Sequence, residues 1–172
     1  MSFRVLFPSM AAIAAAAAAP AAAGPSAPGA AAAGAAAFER FFTGTTQGSG
    51  MADTLLSRPH TVRDRGRGRM ERGALLLDQV VEEEGKPARR RSWRLMRAGA
   101  NRVSGTISDA RGPVAGEVDG ATLHLSYRLA EGATVEQWIT LQPGRRTARN
   151  RMIFRRFGMK VATLESVIRK AD

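Results

Sequence analysis

The sequence has no cysteine and few histidines, lysines or aromatic residues. Its 172 residues include two histidines, His60 and His124, and only 6% aromatic residues. The lack of cysteine excludes a disulfide-stapled fold, a thiolate metal site and a cysteine nucleophile. Two histidines are too few for a multi-histidine metal site, so we expect no metal and no cofactor. These absences exclude thiol-dependent enzymes and most metal-dependent ones.

The first 37 residues differ in composition from the rest of the chain. They contain 19 alanines and one charged residue, Arg4, while all 15 acidic residues follow them. An uncharged apolar run at residues 5–19 is shorter than the roughly 20 residues that span a bilayer. The sequence Ala21-Ala22-Ala23 that follows matches the small-residue pattern of signal-peptidase sites.

These features predict three segments. They are a cleaved signal peptide at residues 1–23, an Ala/Pro/Gly-rich flexible leader at residues 24–37 and one folded domain at residues 38–172. An export signal would place the mature protein in the periplasm or outside the cell, with no transmembrane helix. The alternative is a disordered tail that reflects a genome of biased composition.

Short segments separated by turn residues make up the chain from residue 38 onward. In residues 122–129, Leu123, Leu125, Tyr127 and Leu129 alternate with polar residues, the period of two that is typical of a strand. Gly, Pro, Asp and Asn recur about every ten residues between such segments. The pattern predicts ten strands, at residues 45–57, 60–71, 74–84, 88–97, 102–109, 114–118, 122–129, 134–142, 147–157 and 159–169. The last segment is also compatible with a terminal helix, although its β-branched residues favour a strand.

Many short strands with hairpin-length connections are typical of an all-β sandwich or an up-and-down barrel. We favour an antiparallel up-and-down barrel of about 8–10 strands, because closure removes the exposed sheet edges. A barrel of this size is wide enough to hold one small ligand. The low aromatic content predicts that side chains leave part of the interior unfilled.

Several short motifs, in order, carry a family resemblance. They are Phe38-Glu39-Arg40-Phe41-Phe42-Thr43-Gly44, Gly48-Ser49-Gly50, Arg91-Ser92-Trp93-Arg94-Leu95, Gly105-Thr106-Ile107-Ser108-Asp109-Ala110, Gly116 to Gly120 leading to Leu123 and Tyr127, Trp138, Asn150-Arg151-Met152 and Arg156-Phe157-Gly158. This pattern resembles a bacterial domain-of-unknown-function family of exported proteins assigned to the lipocalin-like (calycin) barrels. The resemblance covers nearly all of residues 38–170 and implies a lipocalin-like barrel and export, without implying a reaction.

The chain departs from the family pattern at two places. Glu136-Gln137 stands where the resemblance implies two acidic residues before Trp138, and Asp78-Gln79-Val80 replaces an expected Glu-x-Phe. A function that needs a carboxylate pair at these positions is therefore disfavoured.

The basic residues are almost all arginine. Lysine and arginine number 26 against 15 acidic residues, and only Lys86, Lys160 and Lys170 are lysines. Arginine clusters at residues 63–69, 89–91 and 145–151 suit phosphate and carboxylate oxygens. They indicate peripheral contact with an anionic membrane surface, or else an ordinary solvated surface. Export disfavours nucleic acid as a partner.

A more selective set of residues predicts a ligand site. In a small barrel, an inward arginine and a tyrosine hydroxyl can fix the carboxylate or phosphate of a ligand whose remainder contacts apolar walls. The candidate ligand-binding residues are Trp93, Arg94, Tyr127, Trp138, Asn150 and Arg151. The alternative is that both tryptophans are ordinary core residues and Arg151 pairs with an acid such as Glu136. Periodicity leaves the inward face of the Trp138 strand open.

No arrangement of residues predicts catalysis. His124 lies on the polar face of its strand and His60 follows Pro59 at a turn, so both are expected at the surface. Asp109 is expected to accept backbone hydrogen bonds at a turn. Gly44, Gly48 and Gly50 lack the helix and the Lys-Ser/Thr of a phosphate loop. We expect these glycines to permit bending where the barrel closes.

The sequence therefore predicts a periplasmic lipocalin-like protein that binds an apolar or amphipathic small ligand, such as an anionic lipid, by enclosure. The alternative is a filled basic barrel that docks on anionic surfaces of the cell envelope or on a protein partner. An isomerase or hydrolase that uses the cavity is a third reading, for which no acid–base pair is apparent.

Overall fold

One helix and ten antiparallel strands make up the computed structural model, which describes residues 28–172. The elements are α1 Pro28–Phe42, β1 Gly44–Thr54, β2 Ser57–Glu71, β3 Ala74–Glu83, β4 Arg89–Arg97, β5 Arg102–Ile107, β6 Val114–Asp119, β7 Thr122–Arg128, β8 Thr134–Leu141, β9 Thr147–Arg156 and β10 Met159–Lys170. All ten strands correspond to segments predicted from the sequence. The terminal segment is a strand and not a helix. The predicted signal peptide, residues 1–23, lies outside the described residues.

Each strand pairs with its neighbours in the sequence, and β1 pairs with both β2 and β10. The β1–β10 ladder runs from Thr46 opposite Lys170 to Thr54 opposite Ala162 and closes the sheet into a barrel. Closure leaves none of the ten strands at an open edge, where unpaired backbone groups would attract another chain. The predicted antiparallel up-and-down barrel is confirmed.

Side chains alternate between the two faces of the wall. In β8, Val135, Gln137 and Ile139 are buried and point inward, while Glu136 and Trp138 point outward. The four alternate arginines at residues 63–69 of β2 are all exposed, as their shared strand face predicts. The barrel interior therefore holds the core, and these four arginines lie on the outer surface.

Helix α1 covers one end of the barrel. Its Phe38, Phe41 and Phe42 are buried in the core, together with Ala35 and Ala37. These residues lie on one face of the helix because they recur at a spacing of three and four positions. The structure departs here from the flexible leader predicted at residues 24–37, since the helix begins at Pro28. Alanine-rich sequence is a strong helix former once an adjacent apolar face packs on a core.

Two glycines of β1 lie where neighbouring atoms leave no space for a Cβ. A Cβ at Gly50 would lie 2.0 Å from the backbone oxygen of Glu165 on β10. A Cβ at Gly48 would lie 1.9 Å from a carboxylate oxygen of Asp64 on β2. A side chain at Gly50 would push β1 and β10 apart, so the strand that closes the barrel requires glycine there. A side chain at Gly48 would instead displace the carboxylate of Asp64.

Candidate functional site

The barrel encloses a cavity of about 370 Å³ that extends from α1 toward the opposite end, which we call the mouth. Phe42 of α1, Leu75, Leu123 and Ile168 line the part near the helix. At the mouth the lining becomes charged. The ionisable residues there are Glu83, Lys86, Arg89, Glu131 and Arg156. The lining therefore changes from apolar at the helix to polar at the mouth.

A chain of hydrogen bonds crosses four strands inside the barrel. The Tyr127 hydroxyl on β7 donates to Gln137 Oε1 on β8 at 3.3 Å. Gln137 Nε2 donates to Asn150 Oδ1 on β9 at 2.9 Å, and Asn150 Nδ2 donates to Ser166 Oγ on β10 at 3.0 Å. Buried amides require such partners, since an unpaired polar group in a core is costly.

A second chain crosses β4, β3 and β2. The Trp93 indole nitrogen donates to Gln79 Oε1 at 3.1 Å, and Gln79 Nε2 donates to Asp64 Oδ1 at 2.9 Å. The Trp93 and Tyr127 rings meet edge to face with centroids 5.5 Å apart, which links this chain to the first. We call the linked set the polar girdle. It consists of Asp64, Gln79, Trp93, Tyr127, Gln137, Asn150 and Ser166.

Burial changes the acid–base properties of two members of the polar girdle. It raises the pKa of the Asp64 carboxyl, although the hydrogen bond from Gln79 and the charge of Arg91 act in the opposite direction. It also raises the pKa of the Tyr127 hydroxyl far above its usual range. Tyr127 is therefore a neutral hydrogen-bond donor across the whole working range of pH.

Arg91 lies on β4 between the polar girdle and the mouth. Its guanidinium donates to Asp109 Oδ2 at 2.6 Å, and only 12% of its side chain is exposed. The other carboxylate oxygen of Asp109 is buried and has no hydrogen-bond partner. Asp109 thus holds Arg91 at the cavity wall, in place of the turn hydrogen bonds that the sequence predicts for it.

A cluster of charged side chains surrounds Glu83 at the mouth. Glu83 accepts hydrogen bonds from His60 at 2.7 Å and from Lys86 at 2.5 Å, and Arg89 lies at 3.4 Å. Burial raises the pKa of Glu83, but the bonds from Lys86 and His60 outweigh it and the pKa is lowered. The backbone oxygen of Arg58 and the Glu83 carboxylate raise the pKa of His60. The cluster keeps the Glu83 carboxylate ionised beside the cavity.

Three of the six residues predicted as ligand-binding face the interior. Trp93 and Asn150 line the cavity. Tyr127 is buried against Trp93 and joins the polar girdle. The sequence motifs therefore locate part of the inner wall, and the role of these side chains in binding stays a prediction.

The other three predicted residues face outward. Arg94 is exposed, with its guanidinium 3.7 Å from the Met96 sulfur. Arg151 is exposed beside Glu165 of β10, 3.8 Å away, and not beside the predicted Glu136. Trp138 stacks on His124 on the outer face, with ring centroids 4.8 Å apart. None of the three lines the cavity, because each has the opposite parity to the inward residues of its strand.

Several polar residues of the inner wall are missing from the sequence-based set, and four of them lie at or beside the polar girdle. They are Asp64, Gln79, Arg91 and Gln137. Arg91 is two residues from Trp93 and shares its strand face, whereas Gln137 is next to Trp138 and lies on the opposite face. Strand parity would therefore identify both once the inward face of each strand is known. Asp64 stands among four arginines in sequence and gives no signal of its own. Gln79 and Gln137 occur in the two motifs where the chain departs from the family pattern.

The described residues contain no group of three or more acidic or histidine side chains placed to hold a metal ion. On the outer wall, the Glu136 carboxylate contacts His124 Nε2 and accepts a hydrogen bond from Ser126 at 3.1 Å. That carboxylate lies between the serine and the histidine, so the cluster does not form a nucleophile–base pair. Within residues 28–172, α1 is too short and too weakly apolar to cross a bilayer.

Solved structures with the same architecture have little sequence identity to this chain. An S-type phycobiliprotein lyase, CPES, from Guillardia theta has a TM-score of 0.65 at 9% identity, over 80% of this chain and 93% of that one. Rv2717c from M. tuberculosis has a TM-score of 0.61 at 14% identity, over 79% of this chain and 98% of that one. These likenesses concern the fold, and they confirm the lipocalin-like barrel that the resemblance implies.

No curated protein matches the chain. A family model matches residues 29–170, which include most of α1 and all ten strands. The match begins within the helix, in agreement with its place in the folded unit. The chain therefore belongs to the DUF3833 family of proteins of unknown function.

Proposed function

We propose that this protein binds one apolar or amphipathic small molecule inside its barrel. The cavity carries the proposal, because its volume of about 370 Å³ lies within the range of roughly 300–1,000 Å³ for small-molecule sites. Its walls are mainly apolar, with a few polar groups fixed in position by the polar girdle. That combination gives affinity through burial and orientation through hydrogen bonds.

The charges at the mouth favour a ligand with an anionic group. Four basic residues line the cavity, namely Lys86, Arg89, Arg91 and Arg156, against the acidic Asp64, Glu83 and Glu131. An amphipathic anion would place its charged end among these cations and its apolar part toward Phe42. A fatty acid or another anionic lipid has this chemistry.

The cavity argues against the alternative function, in which a filled barrel acts only as a docking module. A filled interior would place close-packed side chains between Phe42 and the mouth. The space between them instead favours enclosure of a ligand. The described residues bring no acid–base pair into the cavity with a clear catalytic geometry, so we propose binding and not catalysis.

We further propose that the protein works in the periplasm or outside the cell. The support is the signal-like sequence at residues 1–23, with its apolar run and its small residues before Gly24. N-terminal sequencing of the protein isolated from its own cells tests this. We expect a start after Ala23, whereas a start at Met1 or Ser2 contradicts export.

A cavity-filling substitution tests the binding proposal. Ala162 of β10 lines the cavity, so Ala162→Phe places a ring in the space that a ligand needs. Ala115 of β6 is exposed, and Ala115→Phe adds the same ring to the outer surface. We expect the wild type and Ala115→Phe to bind a fluorescent fatty acid with affinities within about twofold, and Ala162→Phe to bind at least about tenfold more weakly.

Circular dichroism and thermal unfolding of both variants serve as the control for correct folding. Equal affinity of the two variants would place the fatty acid outside the barrel and contradict the proposal. The same conclusion follows if the wild type binds no amphiphile with a saturable isotherm.

A further inference from the structure

Two neighbouring hairpins at the mouth expose large apolar side chains to solvent. Leu55 and Leu56 form the turn between β1 and β2, and Phe157 and Met159 lie at the turn between β9 and β10. Leu56 is 98% exposed and Phe157 is 91% exposed, the two highest values among the exposed large apolar residues of the described chain. We call these four residues the hairpin-tip patch.

The two tips lie side by side. Strand β1 pairs with β10, and the Leu55 backbone nitrogen donates to the Val161 oxygen at 3.1 Å. Thr54, Arg156 and Val161, which flank the tips, also line the cavity. The hairpin-tip patch therefore forms part of the border of the mouth.

The backbone conformation at Phe157 is unusual for a bulky aromatic residue. Its φ is 50° and that of Gly158 is 78°, so both turn residues have left-handed conformations. Asn or Gly is the preferred residue at the first of these positions, and a bulky side chain is poorly suited to it. Folding does not bury the Phe157 ring in return, so neither the turn nor the core accounts for this residue.

Basic residues flank the apolar tips. Residues 53–60 and 155–161 include Arg58, Arg155, Arg156 and Lys160, against one acidic residue, Asp53. All four cations are exposed. Apolar side chains surrounded by lysine and arginine match the surface of a bilayer that contains anionic lipids, where the cations contact headgroups and the apolar groups enter the acyl boundary.

We propose that the hairpin-tip patch inserts into an anionic lipid surface and places the mouth of the cavity against the membrane. This inference rests on the proposed function, since a carrier of amphipathic lipids must exchange its ligand with a bilayer. A membrane fits better than a protein partner because the apolar groups project from two turns within a cationic border, and do not form a flat face. The docked orientation would let a ligand pass between bilayer and cavity without crossing water.

Site-specific labelling tests the orientation directly. The chain has no cysteine, so Phe157→Cys can be labelled at one position with a polarity-sensitive fluorophore. The probe is a vesicle of phosphatidylcholine with about one third phosphatidylglycerol, added to the full chain. We expect a blue shift at position 157 and none in the control Met70→Cys. Met70 is 42% exposed and lies one residue before the end of β2, at the helix end of the barrel.

Vesicle flotation measures the contribution of the patch to affinity. We expect Leu56→Ser with Phe157→Ser to weaken binding to anionic vesicles by at least about tenfold, since two apolar side chains leave the acyl boundary. The control pair, Met70→Ser with Met96→Ser, removes apolar surface at the helix end, and we expect a change of less than about twofold. Phosphatidylcholine vesicles should bind more weakly than anionic ones.

Several results would overturn the docking proposal. They are a wild type that does not float with anionic vesicles, equal effects of the two double variants, and a label at position 157 that stays in water. The first and third results together would show that the patch does not contact a bilayer. Fatty-acid binding in solution, compared between wild type and Ala162→Phe, separates a failure of docking from a failure of the carrier proposal.

Discussion

The indole nitrogen of Trp93 donates a hydrogen bond to the side-chain oxygen of Gln79 at 3.1 Å inside the barrel. Through this bond the tryptophan is fixed to β3 and, through Gln79, to Asp64 of β2. Its ring also touches Tyr127, which begins the hydrogen-bond chain on the other side of the barrel. The position of Trp93 thus makes it a reporter for events inside the cavity.

We expect a brominated fatty acid to quench Trp93 and to leave Trp138 unaffected. Trp93 lines the cavity, whereas Trp138 stacks on His124 on the outer wall. In the variant Trp138→Phe, emission should fall with a saturable dependence on ligand. In the reciprocal variant, Trp93→Phe, emission should remain. Equal quenching in both variants would contradict a ligand inside the barrel.

Arg91 and Arg94 provide a matched pair of arginines on opposite faces of β4. Arg91 lines the cavity beside Asp109, and Arg94 is exposed. We expect Arg91→Gln to weaken binding of a fatty-acid anion by about tenfold, the effect of one charged hydrogen bond. Arg94→Gln should change affinity by less than about twofold. Isothermal titration of both variants measures the difference, and a larger effect at Arg94 would refute the assignment of Arg91.

Arg91 has a second, structural effect through its ion pair. Removal of the guanidinium leaves the Asp109 carboxylate without its charged partner, while one of its oxygens is already buried and unbonded. Urea unfolding of Arg91→Gln should show a loss of about 1–3 kcal/mol, and Asp109→Asn in the same background should restore part of it. Affinity must therefore be compared in the absence of urea, under conditions where both variants are fully folded.

Asp64 predicts a dependence of stability on pH. Burial raises its pKa in the folded protein above the ordinary value of 3.8. The stability that this carboxyl contributes is therefore complete below that ordinary value and is lost as the pH rises through the raised pKa. Asp64→Asn keeps an acceptor for Gln79 and removes the charge.

We expect Asp64→Asn to raise the free energy of unfolding at pH 7 by on the order of 1 kcal/mol, the scale for buried polar groups in proteins. The gain should vanish near pH 3, where Asp64 is already neutral. Urea unfolding at both pH values measures it, with exposed Asp53→Asn as the control. A gain that is independent of pH would show that Asp64 acts through packing and not through its charge.

The packing of α1 predicts a large contribution of Phe41 to stability. Phe41 is 2% exposed and meets the Phe42 ring edge to face at 5.0 Å. Phe41→Ala should lower the free energy of unfolding by about 3–5 kcal/mol because it opens a hole under the helix. Phe157→Ala, at an exposed turn, should lower it by less than about 0.5 kcal/mol. Similar losses for the two variants would contradict the packing of α1 on the barrel end.

The sequence predicts the barrel well because each strand carries its own local signals. Alternation in β7 and the Gly, Pro and Asp turns between strands depend only on neighbouring residues. The hairpin-length connections between the strands favour a closed barrel over a sandwich. The helix was not predicted because its alanines carry little periodic signal. Its apolar face becomes apparent only when Phe38, Phe41 and Phe42 pack on the barrel end.

The site is harder to predict because it depends on which face of each strand points inward. Trp138 shares its face with Glu136 and Thr140, while the opposite face carries Val135, Gln137 and Ile139. Hydropathy alone does not decide whether the face with Trp138 or the face with Gln137 points inward. In the folded barrel the face with Gln137 is buried. Asp64 reaches the cavity only because Gly48 of β1 leaves space beside its carboxylate. That relationship between distant strands has no counterpart in the local sequence.

Native mass spectrometry of the protein, purified gently from its own cells, tests directly whether the barrel encloses a ligand. We expect a stoichiometric adduct of a few hundred daltons, the size of molecule that fits the cavity. The adduct should be released by organic solvent and be absent from Ala162→Phe. A single mass of the bare chain, unchanged after incubation with fatty acids or phospholipids, would contradict enclosure of a ligand by the barrel.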